Sequence, residues 1–147
     1  MCYELIISTD YPVDLAKFNQ MDVYFEQTVH EENKVNLQYD VVYRLATYCP
    51  NCCSCGFRIF DAEAFDYGFV GLQDWLEEKM DDNSILNTKF LFQIIKNLVN
   101  HNYRFDSYVV WSGQEKSPPI KSMIVNINEI LKTEFILFED VYFDYIK

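Results

Sequence analysis

The sequence predicts a single α+β domain spanning residues 1–147, a mixed or mainly antiparallel sheet with two to three helices packed on one face. Three observations lead there. Apolar residues alternate with polar ones in residues 2–8, 36–48 and 105–112, the period of a half-buried strand. Leu91, Ile94, Ile95 and Leu98 recur at helical spacing. The elements run strand, helix, several strands, helices and strands again, without a sustained βαβ alternation. Half of the 147 residues are hydrophobic and 17% are aromatic, enough to bury a core without disulfide staples and too apolar for intrinsic disorder.

Residues 2–8 (CYELIIS) form the first expected strand, with Tyr3, Leu5 and Ile7 on one face. Asp10 then caps a short helix that admits Pro12 in its first turn, ends near Asn19 and buries Val13, Leu15 and Phe18. Residues 22–29 form a weaker strand. Residues 36–48 form a long one, in which Leu37, Tyr39, Val41, Tyr43 and Leu45 alternate with Gln38, Asp40 and Arg44. Residues 57–60 suit a short strand. Leu72, Trp75, Leu76 and Met80 fit one face of a short helix, and Asn87–Asn100 a longer one capped by Asn87 or Ser84. Residues 105–112 return to strand spacing. After a turn from Gly113 to Pro119, residues 122–130 and 134–145 read as two strands, paired as a hairpin through Lys132-Thr133.

The charge balance narrows the function. Twelve basic residues against 23 acidic ones give a net charge of −11. That argues against binding nucleic acid or an anionic membrane surface. There is no apolar run of about 18 residues and no signal-peptide core, so the expected location is cytoplasmic.

One segment stands apart. Cys49-Pro50-Asn51-Cys52-Cys53-Ser54-Cys55-Gly56 places four of the five cysteines within seven residues, and Cys2 lies on the first strand. In a cytosolic protein such a cluster points to metal or redox chemistry rather than a disulfide framework. Thiolates favour Zn²⁺ or Cu(I), and Cys49 and Cys52 have the Cys-x-x-Cys spacing that converges two sulfurs. Cys53 and Cys55 complete a four-thiol set, although four ligands from seven consecutive residues make a cramped tetrahedron. Cys2, His30 or His101 complete it instead if the fold brings them near. Cys49-Pro50-Asn51-Cys52 also has the spacing of disulfide exchangers, but only Arg58 offers the positive charge that favours a thiolate. Asp61, Glu63 and Asp66 follow closely, and this acidity is expected to raise the thiol pKa values. The third reading is structural, with small apolar cysteines buried in a tight turn at Gly56.

The remaining candidates have plain explanations. His30-Glu31-Glu32 cannot direct three consecutive side chains to one ion on a regular element and reads as a solvated loop. His101 follows the long helix and suits its C-terminal dipole. No Ser–His–Asp order, His-Glu-x-x-His, phosphate loop or dinucleotide fingerprint is present. Asp61, Glu63 and Asp66 read as an acidic surface face. Tyr39, Tyr43, Tyr48 and Trp111 serve either a partner interface or the core.

The strand end Ile7-Ser8-Thr9-Asp10, the segment Cys53-Ser54-Cys55-Gly56-Phe57-Arg58, Val110-Trp111-Ser112-Gly113, and Phe135–Phe138 with Glu139 together resemble a small bacterial protein family of no known activity. The resemblance touches most of the chain through short motifs. It implies that Cys53, Cys55 and Arg58 belong to the shared motif, and that Cys49 and Cys52 depart from it. The expected function is a non-catalytic protein-interaction module whose acidic surface meets a basic protein partner, without a cofactor. The alternative is a Zn or Cu(I) thiolate site, or thiol redox chemistry, at Cys49, Cys52, Cys53 and Cys55.

Overall fold

A computed structural model describes residues 2–20, 22–69 and 81–147. The three segments with the clearest alternation lie side by side in it. β1 (Tyr3–Thr9) pairs antiparallel with β3 (Val41–Thr47) on one side and β5 (Phe105–Trp111) on the other, so that Ile7 stands opposite both Tyr43 and Ser107. β2 (Val23–Gln27) adds antiparallel to the outer edge of β3. β8 (Val141–Ile146) adds antiparallel to β5, and β6 (Lys121–Asn126) closes the far edge parallel to β8. The result is a six-stranded mixed sheet in the order β2-β3-β1-β5-β8-β6. β4 (Ile59–Phe60) and β7 (Leu137–Phe138) form a separate, two-residue parallel pair.

Two α-helices accompany the sheet among the described residues: α1 (Glu31–Lys34), a single turn, and α2 (Asp82–Asn100). Asp81 caps α2 by accepting the Ser84 N–H at 2.7 Å. At its other end Asn102 takes a left-handed φ of 71°, and the N–H groups of Asn102 and Tyr103 donate to the carbonyls of Val99 and Leu98. This is a Schellman ending with asparagine in the position glycine usually fills. No helix among the described residues is long and apolar enough to cross a membrane.

The two faces of the sheet are covered differently. Leu5, Ile7, Leu45, Val109 and Phe143 form one cluster with Leu91, Ile95 and Leu98 of α2. On the opposite face Ile6, Val42, Tyr108, Val110 and Tyr142 form a smaller cluster, against which Leu37 packs. Loops cover this second cluster. Asn36 Nδ2 donates to the carbonyls of Glu115 and Ser117, and the Tyr108 hydroxyl donates to the same Ser117 carbonyl at 2.8 Å.

Asp106 holds the first of these loops. Its side chain is fully buried, and a buried carboxylate must be satisfied by donors. Oδ1 accepts the Ser8 N–H at 3.1 Å and the Ser8 hydroxyl. Oδ2 accepts the Gln38 N–H at 2.8 Å and the Tyr142 hydroxyl at 2.7 Å. The Ser8 Oγ in turn accepts the Tyr39 N–H at 3.0 Å. Burial pushes the Asp106 carboxyl above the ordinary aspartate value, and the donors from Ser8, Tyr142 and Gln38 reverse only part of that.

This network explains the largest departure from the sequence reading. The strand expected over 36–48 starts only at Val41, because the N–H groups of Gln38 and Tyr39 bond to sheet side chains rather than to a neighbouring strand. The helix expected after Asp10 is a 3-10 turn, Leu15–Phe18, capped by Asp14; Asp10 accepts the Arg104 N–H instead, and Val13 is exposed. α2 begins at Asp82, five residues before Asn87, and both Ser84 and Asn87 are buried within it. The expected C-terminal hairpin does not form. Residues 135–138 are fully buried and carry β7 across to β4, so β8 returns parallel to β6. The helix expected around Leu72, Trp75, Leu76 and Met80 lies outside the described residues.

Asp106→Asn keeps the side-chain shape but turns a donating amide toward groups that are themselves donors. We expect a loss of about 1–3 kcal/mol of folding stability from the buried groups left without acceptors. Urea unfolding of the two proteins measures it, and an unchanged midpoint refutes the role given to Asp106.

Candidate functional site

β3 ends at Thr47, and the chain reverses at once. Tyr48 and Asn51 both adopt left-handed backbone, with φ of 71° and 63°. The reversal brings Cys49 and Cys52 together as a disulfide, with Cα atoms 5.4 Å apart. Two contacts anchor this loop to the sheet. The Asn51 N–H donates to Glu26 Oε2 at 2.8 Å, and Arg44 Nη2 donates to the Cys52 carbonyl at 2.6 Å. Arg44 also pairs with Glu4 at 2.5 Å and Glu26 at 2.9 Å, so one guanidinium ties β1, β2 and β3 to the loop.

The next three residues slot between the ends of β1 and β3. The Thr47 N–H donates to the Cys53 carbonyl, and the Ser54 N–H donates to the Tyr3 carbonyl, both at 3.0 Å. The Ser54 hydroxyl accepts the Leu5 N–H at 2.8 Å and donates to the Leu45 carbonyl. Ser54 is therefore fully buried, bridging two strands that no longer pair directly at this end. Ser54 is a bend and Cys55 and Gly56 form a turn, closed by the Phe57 N–H donating to the Ser54 carbonyl at 3.3 Å. This turn presents Cys53 and Cys55 together, where Cys2 immediately precedes β1. The sulfurs of Cys2, Cys53 and Cys55 all lie within 4.8 Å of one another. Cys2 and Cys53 are half-buried and Cys55 is exposed, so none of the three belongs to the apolar core.

Gly56 permits the close passage of this segment. A Cβ there would sit 2.7 Å from the Thr47 side chain and the Tyr48 ring, and the Thr47 hydroxyl already holds both the Cys53 carbonyl and the Gly56 N–H. From the other side Asn87 of α2 donates to the Gly56 carbonyl at 3.0 Å.

The thiols are not equivalent. Burial raises Cys53, but the Cys55 N–H and the Cys55 and Cys2 thiols outweigh it, and its pKa falls below the ordinary value. Cys55 is pushed up to about 12, by burial first, against the Tyr3 N–H that donates to its sulfur at 3.3 Å, and then by its bond to Cys53 and the charge there. Cys53 is thus more acidic than Cys55. Beside it Tyr3 stacks on Trp111 with ring centroids 4.3 Å apart and donates to Glu139 at 3.3 Å. Burial and the charges of Glu139 and Asp61 push the Tyr3 hydroxyl up.

The structure redistributes the residues singled out in the sequence. Cys49 and Cys52, expected to ligate with Cys53 and Cys55, are bonded to each other, and Cys2 joins the latter pair in their place. The acidic residues expected to raise the thiols set neither shift: Cys55 rises through burial and then through Cys53 and Cys2, and Cys53 falls because hydrogen-bond donors outweigh its burial. Arg58 supplies no charge to the sulfurs through any of these bonds. It is buried, its N–H donates to Thr88 Oγ1 at 2.8 Å, and its guanidinium donates to the carbonyls of Thr133 and Phe135. His30 stands before α1 in an exposed loop, and His101 is the C-cap of α2 with its ring bonded to the Asn97 carbonyl; neither belongs to the thiol group. Asp61, Glu63 and Asp66 are exposed, and Asp66 pairs with Lys121 at 2.8 Å. The aromatic candidates do not act as a set: Tyr43 is core, Tyr39 bonds Asp144 and Arg104, Trp111 stacks on Tyr3, and Tyr48 is exposed.

Ser54 escaped the sequence reading, although its place between two cysteines is the available signal. Ser54→Ala leaves the buried Leu5 N–H without its acceptor. It is expected to cost about 1–3 kcal/mol in thermal or urea unfolding and to loosen the convergence of the sulfurs.

The split between the thiols gives a pH signature. The thiolate is the form that alkylates. In metal-free protein, iodoacetamide followed by peptide mapping should label Cys53 first, with an inflection below the ordinary thiol value. Cys55 should lag until strongly alkaline pH. Labelling of Cys55 ahead of Cys53 contradicts the assignment.

Comparison of the chain with known protein families, curated proteins and solved structures finds no match, so the functional argument rests on the site itself.

Proposed function

We propose that this chain is a non-catalytic metal-binding protein that holds one soft metal ion, Zn²⁺ or Cu(I), on the thiolates of Cys2, Cys53 and Cys55. The observation that carries the reading is the convergence of three sulfurs from two separate segments to within 4.8 Å. Metal–sulfur bonds of about 2.3 Å place three sulfurs around a trigonal ion about 4 Å apart, so small side-chain rotations suffice to close the site. The sulfurs lie at the edge of the core rather than inside it, as an exchangeable ion requires. The net charge of −11 raises the local concentration of cations, and Glu139 and Asp61 stand beside Tyr3 at the rim.

The acidic exterior also supports a second reading, the docking of a basic protein partner. The exposed carboxylates of Asp61, Glu63 and Asp66 follow one another along a 3-10 turn, Ala62–Tyr67, and its start. The two readings are compatible, with the thiols at the rim of a docking surface.

Metal content decides the first. Protein prepared without chelator, or reconstituted anaerobically, should retain about one equivalent of metal after gel filtration, and Cys53→Ser should retain almost none while keeping its far-ultraviolet circular dichroism. Retention of metal by a folded Cys53→Ser protein, or less than about a tenth of an equivalent in the native one, refutes the proposal.

A further inference from the structure

We infer that the site is three-coordinate and takes Cu(I) in preference to Zn(II). This rests on the proposal that the three thiols bind metal at all, and it adds which ion and with how many ligands.

The first observation is the ligand count. Among the described residues the cluster of metal-ligating side chains consists of Cys2, Cys53 and Cys55, with no histidine or carboxylate completing a fourth position. Three carboxylates on the surrounding elements are engaged elsewhere. Glu139 accepts the Tyr3 hydroxyl at 3.3 Å, and Glu4 and Glu26 are paired with Arg44. Structural zinc is almost always four-coordinate and tetrahedral, and a zinc ion held by three protein ligands keeps an open position for water. Cu(I) is a soft ion that thiolate ligands select, and a trigonal set of three sulfurs satisfies it without a fourth.

The second observation is that two of the ligands come from one anchored turn and the third from a separate strand end. Cys53 and Cys55 flank Ser54, whose N–H and hydroxyl are both locked to β1 and β3. The backbone between them is therefore anchored at Ser54, and rotation of the two side chains sets the sulfur spacing. Cys2 precedes the first sheet pair, and its carbonyl accepts the Ser112 N–H at 2.9 Å. Two donors on one anchored turn and a third from the start of β1 make a set of three sulfurs, the number a trigonal Cu(I) ion takes.

The third observation is the disulfide. With Cys49 and Cys52 bonded to each other, the neighbouring loop offers no further thiolate. Binding is a plain exchange of protons for metal: each sulfur that coordinates Cu⁺ releases its proton to solvent, and no electron is transferred.

The test uses the full chain with its Cys49–Cys52 disulfide intact and a Cys49→Ser/Cys52→Ser variant, both handled anaerobically, with Cu(I) supplied as its acetonitrile complex and Zn(II) as its sulfate. One equivalent of Cu(I) should displace preloaded Zn(II) from both proteins, and about a hundredfold excess of Zn(II) should not reverse it. Copper K-edge absorption should report three sulfur neighbours in both. Cys2→Ser, which replaces a half-buried side chain and leaves the backbone bond from Ser112 to the residue 2 carbonyl in place, should weaken Cu(I) binding by about tenfold or more while thermal unfolding stays unchanged. Retention of Zn(II) against Cu(I) overturns this inference and leaves the proposed function standing. Loss of Cu(I) binding in the Cys49→Ser/Cys52→Ser variant overturns the three-ligand site in favour of a four-thiol loop. Retention of neither ion by the full chain refutes both the inference and the proposal beneath it.

Discussion

β1 is buried on both faces, yet α2 packs on only one of them, and the rest of the architecture answers that constraint. A two-faced strand needs cover, and loops bring backbone N–H and carbonyl groups that must be satisfied where they dock. The chain meets this with small polar side chains placed on or against β1. Ser8 and Asp106 receive the loop at Gln38 and Tyr39. Ser54, arriving from the other end, supplies its own hydroxyl to Leu5 and Leu45. The same device thus closes the second face and seats the cysteine segment. Bonds of this kind are expensive to leave unmade, which fixes the register of both loops more firmly than apolar contact alone.

α2 uses the device a third time. Its apolar stripe faces the sheet, but Ser84, Asn87 and Thr88 continue that stripe toward the N-terminus and are buried. Asn87 donates to the Gly56 carbonyl and Thr88 accepts the Arg58 N–H. Arg58 then reaches across to the carbonyls of Thr133 and Phe135, next to the strand that pairs with β4. A continuous set of bonds therefore runs from the helix through residues 56–58 to the C-terminal segment. The segment that presents Cys53 and Cys55 is held between this set and the ends of β1 and β3.

What could be read from the sequence follows from which residues make local patterns. β1, β5 and the apolar stripe of α2 declare themselves by period two or 3.6, because burial of one face imposes that period. The segment 36–40 carries the same alternation and is not a strand. Its side chains obey the pattern, while its N–H groups bond to Asp106 and Ser8, whose partners are distant in sequence. The C-terminal crossover fails for the same reason: Phe135–Phe138 is buried as any strand would be, and only its pairing with Ile59 and Phe60 shows that it leaves the main sheet. At the site, the Cys-x-Cys spacing shows only that two thiols are close in sequence; the bend at Ser54 and the turn at Cys55 and Gly56 that bring them together depend on bonds to β1 and β3. Cys2 could be named only as a conditional partner, because its nearness depends on β1 lying beside the reversal after β3.

The net charge and the thiols act over different distances, and this separates recognition from proton chemistry at the site. Exposed carboxylates such as Asp61, Glu63 and Asp66 contribute to a field that solvent screens within about 8–10 Å at moderate salt. That field draws cations toward the molecule as a whole. The proton on Cys53 is governed instead by donors in direct contact, the Cys55 N–H and the thiols of Cys55 and Cys2, and these outweigh the cost of burial. An acidic protein can therefore carry a thiolate with depressed pKa, provided the negative charge is spread over the exterior and the donors are gathered at the sulfur. Three thiols sharing protons around one sulfur are also the arrangement an incoming soft cation converts most directly. The proposed ion would replace those protons, with the backbone at Ser54 already held by β1 and β3.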